Sequence, residues 1–597
     1  MRTSRYRLTT VSLLSCAVVA SAALLATPAA AAPTTIHAIQ GTTRKAALQN
    51  VTVTGIVTAI RSTGSSKGFW IQDPAPDADP RTSEGIFVYT GSSAPATAVG
   101  NKLSVTGTVS EYYPGGSTAG GQSLTELTQP SWSTISTGNP LPAPVVLTDA
   151  LIPAAYAPSG NLETLALNPS AYALDLFESL EGMRVQIDDA RVVGATNAYN
   201  EMFVTAKPAQ NPTPRGGTVY GSYSSQNSGR VKVMSLLSSP LPQANVGDVL
   251  TGPTIGPLDY DQFGGYLIAA TTLGARRNGG LAAEVTTPQA ADQLAIATYN
   301  VENLDPGDPQ AKFDRLAAGI VTNLRSPDIL AVEEIQDNNG PVNDSVVAAD
   351  QTYAKLINAI TAAGGPAYAF RQINPTNGAD GGEPGGNIRV GFLFNPARVS
   401  FTDRPGGTAT AAVSVVANGG AAQLSFSPGR IDPRNANWSA TRKPLAGEFV
   451  FQGKTVIVIA NHFSSKGGDQ SLHARTQPPS RGSETKRGQQ ASIVNTFVKQ
   501  IFAVQPTARV VVLGDINDFE FSATMSNLLT GTTMTDLITT LPAGERYSYV
   551  YEGNSQVLDH IVTSAALADR EYDVVHVNAE FADRASDHDP QVVRVRP

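Results

Sequence analysis

Val510-Val511-Val512-Leu513-Gly514-Asp515-Ile516-Asn517 decides how the chain reads: a short apolar run stops at a glycine and gives way to polar residues. A run of that length, bounded by a turn signal and rich in β-branched residues, predicts a strand buried on both faces. In an extended segment Asp515 and Asn517, two positions apart, point to one face. Strands of the same kind are predicted at 294–298, 329–332, 390–394, 456–460 and 558–563. Between them Phe313, Leu316, Ile320, Val321 and Leu324 recur at helical spacing, as do Val494, Phe497, Val498, Ile501 and Phe502. Strands alternating with amphipathic helices predict an α/β layer fold over residues 288–597.

Each of the polar motifs that follow sits at or just after such a strand. Asn300 in Tyr299-Asn300-Val301-Glu302-Asn303 and Glu334 in Ala331-Val332-Glu333-Glu334-Ile335-Gln336 present oxygen ligands suited to a hard, hydrated Mg²⁺. Of Asp515 and Asn517, one is placed to orient water and the other to hold substrate or metal. His462 in Asn461-His462-Phe463-Ser464-Ser465-Lys466 is a phosphate contact, with Lys466 as supplementary charge. His588 in Ser586-Asp587-His588-Asp589-Pro590 is the natural general base near neutral pH, provided a carboxylate fixes its tautomer. Asp559 in Leu558-Asp559-His560-Ile561-Val562 is the candidate orienter, and Asp587 a candidate metal ligand. Hydrolysis of a phosphodiester needs an activated water, positive charge on the phosphoryl oxygens and a stabilised leaving alkoxide. Taken singly, an Asp or Asn after a strand reads as a turn or cap residue. The ordered series is what carries the specificity.

From about Gln293 to the C-terminus the motifs Tyr299-Asn300-Val301-Glu302-Asn303, Asn461-His462-Phe463-Ser464-Ser465-Lys466, Gly514-Asp515-Ile516-Asn517-Asp518 and Ser586-Asp587-His588-Asp589-Pro590 resemble those of the endonuclease/exonuclease/phosphatase superfamily, the deoxyribonuclease I-like enzymes. The resemblance implies a four-layer α/β sandwich with the site at one edge. It also implies Asn300, Glu334 and Asp587 at the metal, His462 and Asn517 at the phosphate, and Asp515 towards the nucleophile. Asp559 would orient the base His588, and Arg389 would lie near the phosphate. His560 departs from the aromatic or Arg that relatives often place after the orienting acid.

Residues 32–147 hold short alternating strands, among them Val51-Thr52-Val53-Thr54-Gly55-Ile56-Val57, Gly68-Phe69-Trp70-Ile71-Gln72-Asp73, Gly85-Ile86-Phe87-Val88-Tyr89-Thr90 and Leu103-Ser104-Val105-Thr106-Gly107-Thr108-Val109, with no competing helical period. This string resembles the oligonucleotide-binding (OB-fold) barrel found in front of some bacterial secreted nucleases. A spacer or glycan-binding barrel is the blander alternative. Residues 148–287 form a second β-rich block, a candidate second barrel, and no chemistry is assigned to it. Its tyrosines Tyr199, Tyr220, Tyr223 and Tyr260 look exposed in the sequence and suited to stacking, although aromatic residues in β segments more often lie in a core.

Residues 1–31 read as a secretory signal: Arg2, Arg5 and Arg7 precede an apolar run, and an alanine-rich stretch offers cleavage near Ala31. Its removal takes away three arginines and no acids, moving the formal charge from −8 to −11. That balance argues against a broad basic surface and leaves room for a local basic groove. Cys16, the only cysteine, lies inside the signal, where it faintly resembles a lipoprotein cleavage box; the mature chain has no thiol. His37, His473 and His576 match no motif and read as ordinary surface or strand residues. The glycine-rich segment 377–387 lacks the Lys-Ser/Thr ending of a phosphate-binding loop and reads as a mobile loop near the site.

The sequence therefore predicts a secreted endonuclease acting on DNA, with RNA as a second polymer, and using Mg²⁺ or Mn²⁺, with Ca²⁺ as an additional ion. Neither membrane insertion nor a protein partner is inferred. A phosphatase or sphingomyelinase-like phosphodiesterase would share the same site, and a non-catalytic surface binding protein is the reading from another class.

Overall fold

The computed structural model describes residues 34–46 and 49–597. The signal segment and Cys16 lie outside the described residues. Among the described residues no helix is long and apolar enough to cross a membrane.

Five strands, β1 (Asn50–Arg61), β2 (Lys67–Gln72), β3 (Gly85–Gly91), β4 (Lys102–Tyr112) and β5 (Leu124–Ser136), close a barrel in the order β1-β2-β3-β5-β4. Their inward residues, Val53, Phe69, Ile71, Val88 and Val105 among them, fill its core. The sequence pattern gave four of these strands but no helix; a short one, Ile36–Gln40, contributes Ile36 and Ile39 to the barrel core.

The next block repeats that connectivity. Arg184–Gly194, Glu201–Thr205 and Arg230–Ser235 pair antiparallel in succession. Arg230–Ser235 then pairs parallel with Gly265–Ala270, which pairs antiparallel with Val249–Asp261, and that strand returns to Arg184–Gly194. Relabelled in chain order, these five strands follow the same 1-2-3-5-4 circuit as the first barrel, and their apolar faces fill a core of their own.

The two barrels meet face to face. Ala59, Trp70 and Phe87 of the first pack on Leu267 and Ala269 of the second, and all five are buried. At the same seam Gly85 and Gly182 touch backbone to backbone: a Cβ on Gly85 would lie 2.2 Å from the carbonyl carbon of Gly182. The aromatic side of the first barrel is therefore spent on a domain interface.

Residues 288–597 contain two large sheets. The first runs Ala369–Arg371, Arg389–Phe394, Ile329–Ile335, Leu294–Leu304, Gln591–Val595, Arg570–Val574. The second runs Ser400–Phe401, Leu445–Phe451, Lys454–His462, Val510–Asp515, Asp559–Ser564, Met534–Asp536, with Gly429–Arg430 beside Leu445–Phe451. Alternation explains the layering. Ile296 and Phe392 of one sheet face Phe449, Val458, Val511, Leu513 and Ile561 of the other. On the outer face of the first sheet, Tyr299 and Val332 meet Phe313 and Leu316 of helix Gln310–Ala318 and Tyr353 and Leu356 of helix Asp350–Ala362. On that of the second, Val510 and Val512 meet Val494, Phe497 and Ile501 of helix Glu484–Val504. The helix expected around Ile320 and Leu324 ends at Ala318, and a π turn, Gly319–Asn323, carries the chain on.

Candidate active site

The inner face of each sheet turns polar at one end. His462, Asp515 and Asp559 are register partners across three adjacent strands of the second sheet. Each shares its face with inward apolar residues two positions away along its strand, namely Ala460, Leu513 and Ile561. One face thus runs from core into chemistry. Across from them, Asn300 continues the inward row of Ile296 and Thr298.

Glu333 and Glu334 show what alternation does to adjacent residues. Glu333 continues the inward row of Ile329 and Ala331; it is fully buried and accepts from Thr298 Oγ1 at 2.8 Å. Burial, with Asp559 and Asp515 adding to it, holds its carboxyl well above the usual range. Glu334 should point outward, but the strand pairing slips between Asn300 and Leu304 and its own φ is 65°. That irregularity turns Glu334 into the cleft. Glu302, Asn303 and Asn517 also adopt positive φ, 53°, 48° and 55°. Left-handed backbone at non-glycine residues costs energy, and here it gathers at one site.

The cleft has a volume of about 810 Å³ and brings together Glu334, His462, Asp515, Asn517, Asp587 and His588. His588 Nδ1 lies 2.8 Å from Asp559 Oδ2, while its Nε2 faces Asp515 Oδ2 at 3.9 Å and Asp587 Oδ1 at 4.0 Å. Burial disfavours charge on this ring, yet Asp559, Asp587 and Asp515 outweigh it and raise its pKa. Asp515 is pushed up to about 7 by burial, with Asp559 and Glu334 adding to the rise and His588 opposing it. His462 Nε2 lies 3.3 Å from Asp515 Oδ2 and 3.7 Å from Glu334 Oε1. Its pKa falls well below the ordinary value, first through burial and then through Arg442 and His588.

Asp515 and Asn517 converge, although not by extended alternation. The Asn517 N–H donates to Asp515 Oδ1 at 2.8 Å and its amide to Oδ2 at 3.1 Å, a tight turn that the left-handed φ permits. The Asn300 amide nitrogen donates to Glu334 at 3.1 Å and to Asp515 at 3.3 Å, tying the two sheets together.

Two expected substrate contacts are engaged elsewhere. Arg389 is 1% exposed and does not line the cleft; its guanidinium donates to Asn374 Oδ1 and the Asn387 carbonyl. Lys466 pairs with Asp518 at 2.8 Å and lies over the Phe519 ring. The basic groups that do line the cleft are Arg442 and Lys486, which the sequence reading missed. Thr441-Arg442-Lys443, a basic pair just before the strand Leu445–Phe451, was the available signal. Tyr549 and Ser548 were also missed. Tyr549 packs its ring 4.8 Å from that of His588, and the Ser548 hydroxyl donates to Asp559 Oδ2 at 2.7 Å. Gly382 and Glu383 bring the middle of the glycine-rich segment to the cleft, and Ile388, just beyond it, lines the cleft too.

Of the three other histidines, His473 and His576 are buried and His37 is half-buried. His473 is buried against the Tyr260 hydroxyl at 2.8 Å, and burial drives its pKa down to about 3. His576 is buried against Asp589 at 2.9 Å, and His37 pairs with Glu84 at 3.1 Å. Of the four tyrosines that looked exposed, only Tyr199 is, at 82%. Tyr260 packs on His473, while Tyr220 and Tyr223 pack on Phe519 and Phe521.

Residues 145–278 match a family model described only as a domain of unknown function (DUF8508), and residues 297–588 match that of the Endonuclease/Exonuclease/phosphatase family. No curated protein matches the chain. Among solved structures, a humanized TDP2 from D. rerio is similar over 51% of this chain and 100% of its own, at 17% identity and a TM-score of 0.32. An endonuclease/exonuclease/phosphatase from Bacteroides vulgatus covers 51% and 98%, at 15% identity and 0.32. The human Nocturnin catalytic domain covers 51% and 95%, at 12% identity and 0.32. Residues 297–588, the part that matches the Endonuclease/Exonuclease/phosphatase family model, hold the whole acidic and histidine cluster of the cleft.

Proposed function

We propose that the protein is a secreted, divalent-metal-dependent phosphodiesterase that cleaves DNA internally, with RNA as a second polymer and little sequence selectivity. The observation that carries this reading is the line Asp559–His588–Asp515 opening beside Glu334 and His462 in one cleft. On the same reading both barrels are of OB type and residues 288–597 form a four-layer sandwich of deoxyribonuclease I type.

The donor set fits a hard cation. One ligand atom each from Glu334, His462 and Asp515 lies within 4.8 Å of the others, and crowded carboxylates favour positive charge among them. Glu334 and Asp587 would hold Mg²⁺ or Mn²⁺ through oxygen; Asn300 joins them once its amide turns over to present its oxygen. Such an ion supplies charge against the phosphoryl oxygens. Its presence would also offset the carboxylates that now raise His588, leaving that ring neutral and able to accept a proton.

Asp559 fixes the His588 tautomer from the Nδ1 side, and Nε2 takes the proton of a water as its oxygen bonds to phosphorus. Asp515 orients that water, and the bond to the departing alkoxide breaks. His462 is held neutral and Asn517 donates from its turn, so both suit contact with phosphoryl oxygens. Arg442 and Lys486 supply the cleft's positive charge. The preference for a nucleic acid polymer rests on this open polar cleft and not on the first barrel, whose aromatic face is covered.

A substrate panel of plasmid DNA, RNA, sphingomyelin and an inositol phosphate, run with Mg²⁺, Mn²⁺ and chelator, tests the proposal. Nicked and linear plasmid with either ion, and none with chelator, is expected. Intact plasmid throughout, with choline phosphate released from sphingomyelin, would transfer the site to the lipid phosphodiesterase reading.

A further inference from the structure

We infer that the barrel of residues 145–278, matched only as a domain of unknown function, is a working part of the catalytic centre: its long loop 206–229 bridges and braces the hairpin that positions the base assembly. The inference rests on the reading of His588 and Asp559 above.

The hairpin consists of Tyr549–Tyr551 and Asn554–Gln556, joined by Glu552 and Gly553. Both turn residues have positive φ, 48° and 75°, the geometry of the tightest hairpin turns. Two strands of three residues bury too little to hold together in water; a third strand or a packed face is needed. The second barrel supplies a backbone bridge and the packed face. Val219 bridges Ser555 in parallel, with the Tyr220 N–H donating to the Ser555 carbonyl at 2.8 Å and the Ser555 N–H to the Thr218 carbonyl at 2.8 Å. The Thr218 hydroxyl donates to the Gly553 carbonyl at 2.9 Å, and the Asn227 amide to Asn554 Oδ1 at 2.9 Å. The hairpin tip rests on the barrel wall, where a Cβ on Gly553 would lie 2.7 Å from Phe203 Cβ and 3.1 Å from a Val193 methyl.

From this ribbon the contacts lead directly into the cleft. The Ser548 N–H donates to the Gln556 carbonyl at 3.0 Å, closing the hairpin base, while its hydroxyl holds Asp559. The Ser548 carbonyl accepts from the Asp589 N–H at 2.8 Å, and Tyr549 bridges His588. The same barrel loop reaches the other side of the cleft: Tyr220 and Tyr223 pack edge-on against Phe519, two residues beyond Asn517. One loop of the second barrel thus braces the base assembly and the Asp515–Asn517 turn together. Tyr220 and Asn227 are positioning residues, acting through the hairpin.

The test uses the full chain, a labelled DNA duplex with Mg²⁺, and the variants Asn227→Ala, Tyr220→Ala and Tyr220→Phe. Asn227→Ala removes the bonds to Asn554 and to the Val219 carbonyl, and Tyr220→Ala removes the ring that anchors the loop. Each is expected to lower kcat roughly tenfold with KM within about twofold, since a small misplacement of catalytic groups is costly while binding contacts persist. Amide exchange in residues 549–556 should quicken in both. Tyr220→Phe keeps the ring and the backbone N–H and should restore the parent values. If Tyr220→Ala does not fold, Asn227→Ala decides. Parent-like kcat in the folded loop variants overturns the inference, as does a loss that appears only in KM. His588→Ala run alongside separates the two failures: full activity there sinks the reading of the base, whereas loss there with parent-like loop variants sinks the bracing role alone.

Discussion

His588 Nδ1 and Asp559 Oδ2 lie 2.8 Å apart although 29 positions separate them in sequence, and the Ser548 hydroxyl shares that carboxylate oxygen at 2.7 Å. One oxygen therefore serves both the base and the hairpin.

Asp559→Asn puts a donor where an acceptor is needed and releases the His588 tautomer. The expected result is a fall in kcat of about 10²- to 10³-fold, within the range for a general base. Ser548→Ala leaves the carboxylate in place and should cost less, roughly three- to tenfold. Mn²⁺ binding followed by electron paramagnetic resonance should stay within about twofold of the parent in both. A collapse of Mn²⁺ affinity in Asp559→Asn would make that residue a metal ligand instead.

Glu334 reaches the cleft only through a pairing slip and a φ of 65°, strain that a cation contact would justify. Glu334→Gln keeps the shape and removes the charge. Mn²⁺ affinity should fall by at least about tenfold, and excess metal should restore part of the activity. Asp587→Asn should act in the same direction. Unchanged affinity in both variants would move the metal site elsewhere.

How much of this was legible in the sequence follows from alternation. His462, Asp515 and Asp559 could be placed because each ends or begins a strand whose inward residues are apolar, and register does the rest. Glu334 was found from its motif, but period alone would have chosen Glu333, because a bulge leaves no mark in composition. Arg389 and Lys466 carry the right charge beside the right motifs, yet Asn374, Asn387 and Asp518 take up their donors. For Tyr220 and Tyr223 the sequence left stacking open beside the more common core role, because the partners that cover them, Phe519 and Phe521, lie about 300 residues away.

His560 shows the same rule from the outer face of its strand. One position from Asp559, it points away from the cleft, sits 3.0 Å from Asp536, and reaches the Asp518 carbonyl at 2.9 Å. Burial opposes its charge, but Asp536 and the Asp518 carbonyl raise its pKa to about 9. The folded value exceeds the ordinary 6.5. The pair therefore stabilises fully below pH 6.5, by up to about 3 kcal/mol, and loses that contribution as pH rises through 9. Melting temperature should fall between pH 7 and 9.5 in the parent and less steeply in His560→Gln. Parallel curves would remove the charge from this pair.

His473 carries the opposite sign. It belongs to the loop between strand Lys454–His462 and helix Glu484–Val504, yet it is buried where that loop meets the barrels, with its carbonyl accepting from Gln122 at 3.0 Å. Burial, with Arg230 and Lys232 adding to it, holds its pKa near 3. The unfolded ring takes up a proton near pH 6.5 that the folded one refuses, so stability is complete above that value and declines as pH falls towards 3. Acid should therefore loosen the contact between the barrels and the cleft loop. Limited proteolysis of the parent at pH 4.5 should cut within residues 466–483 faster than at pH 7. His473→Gln, which has no proton to gain, should show a smaller ratio between the two pH values. An equal ratio in parent and variant would mean that another group carries the acid sensitivity.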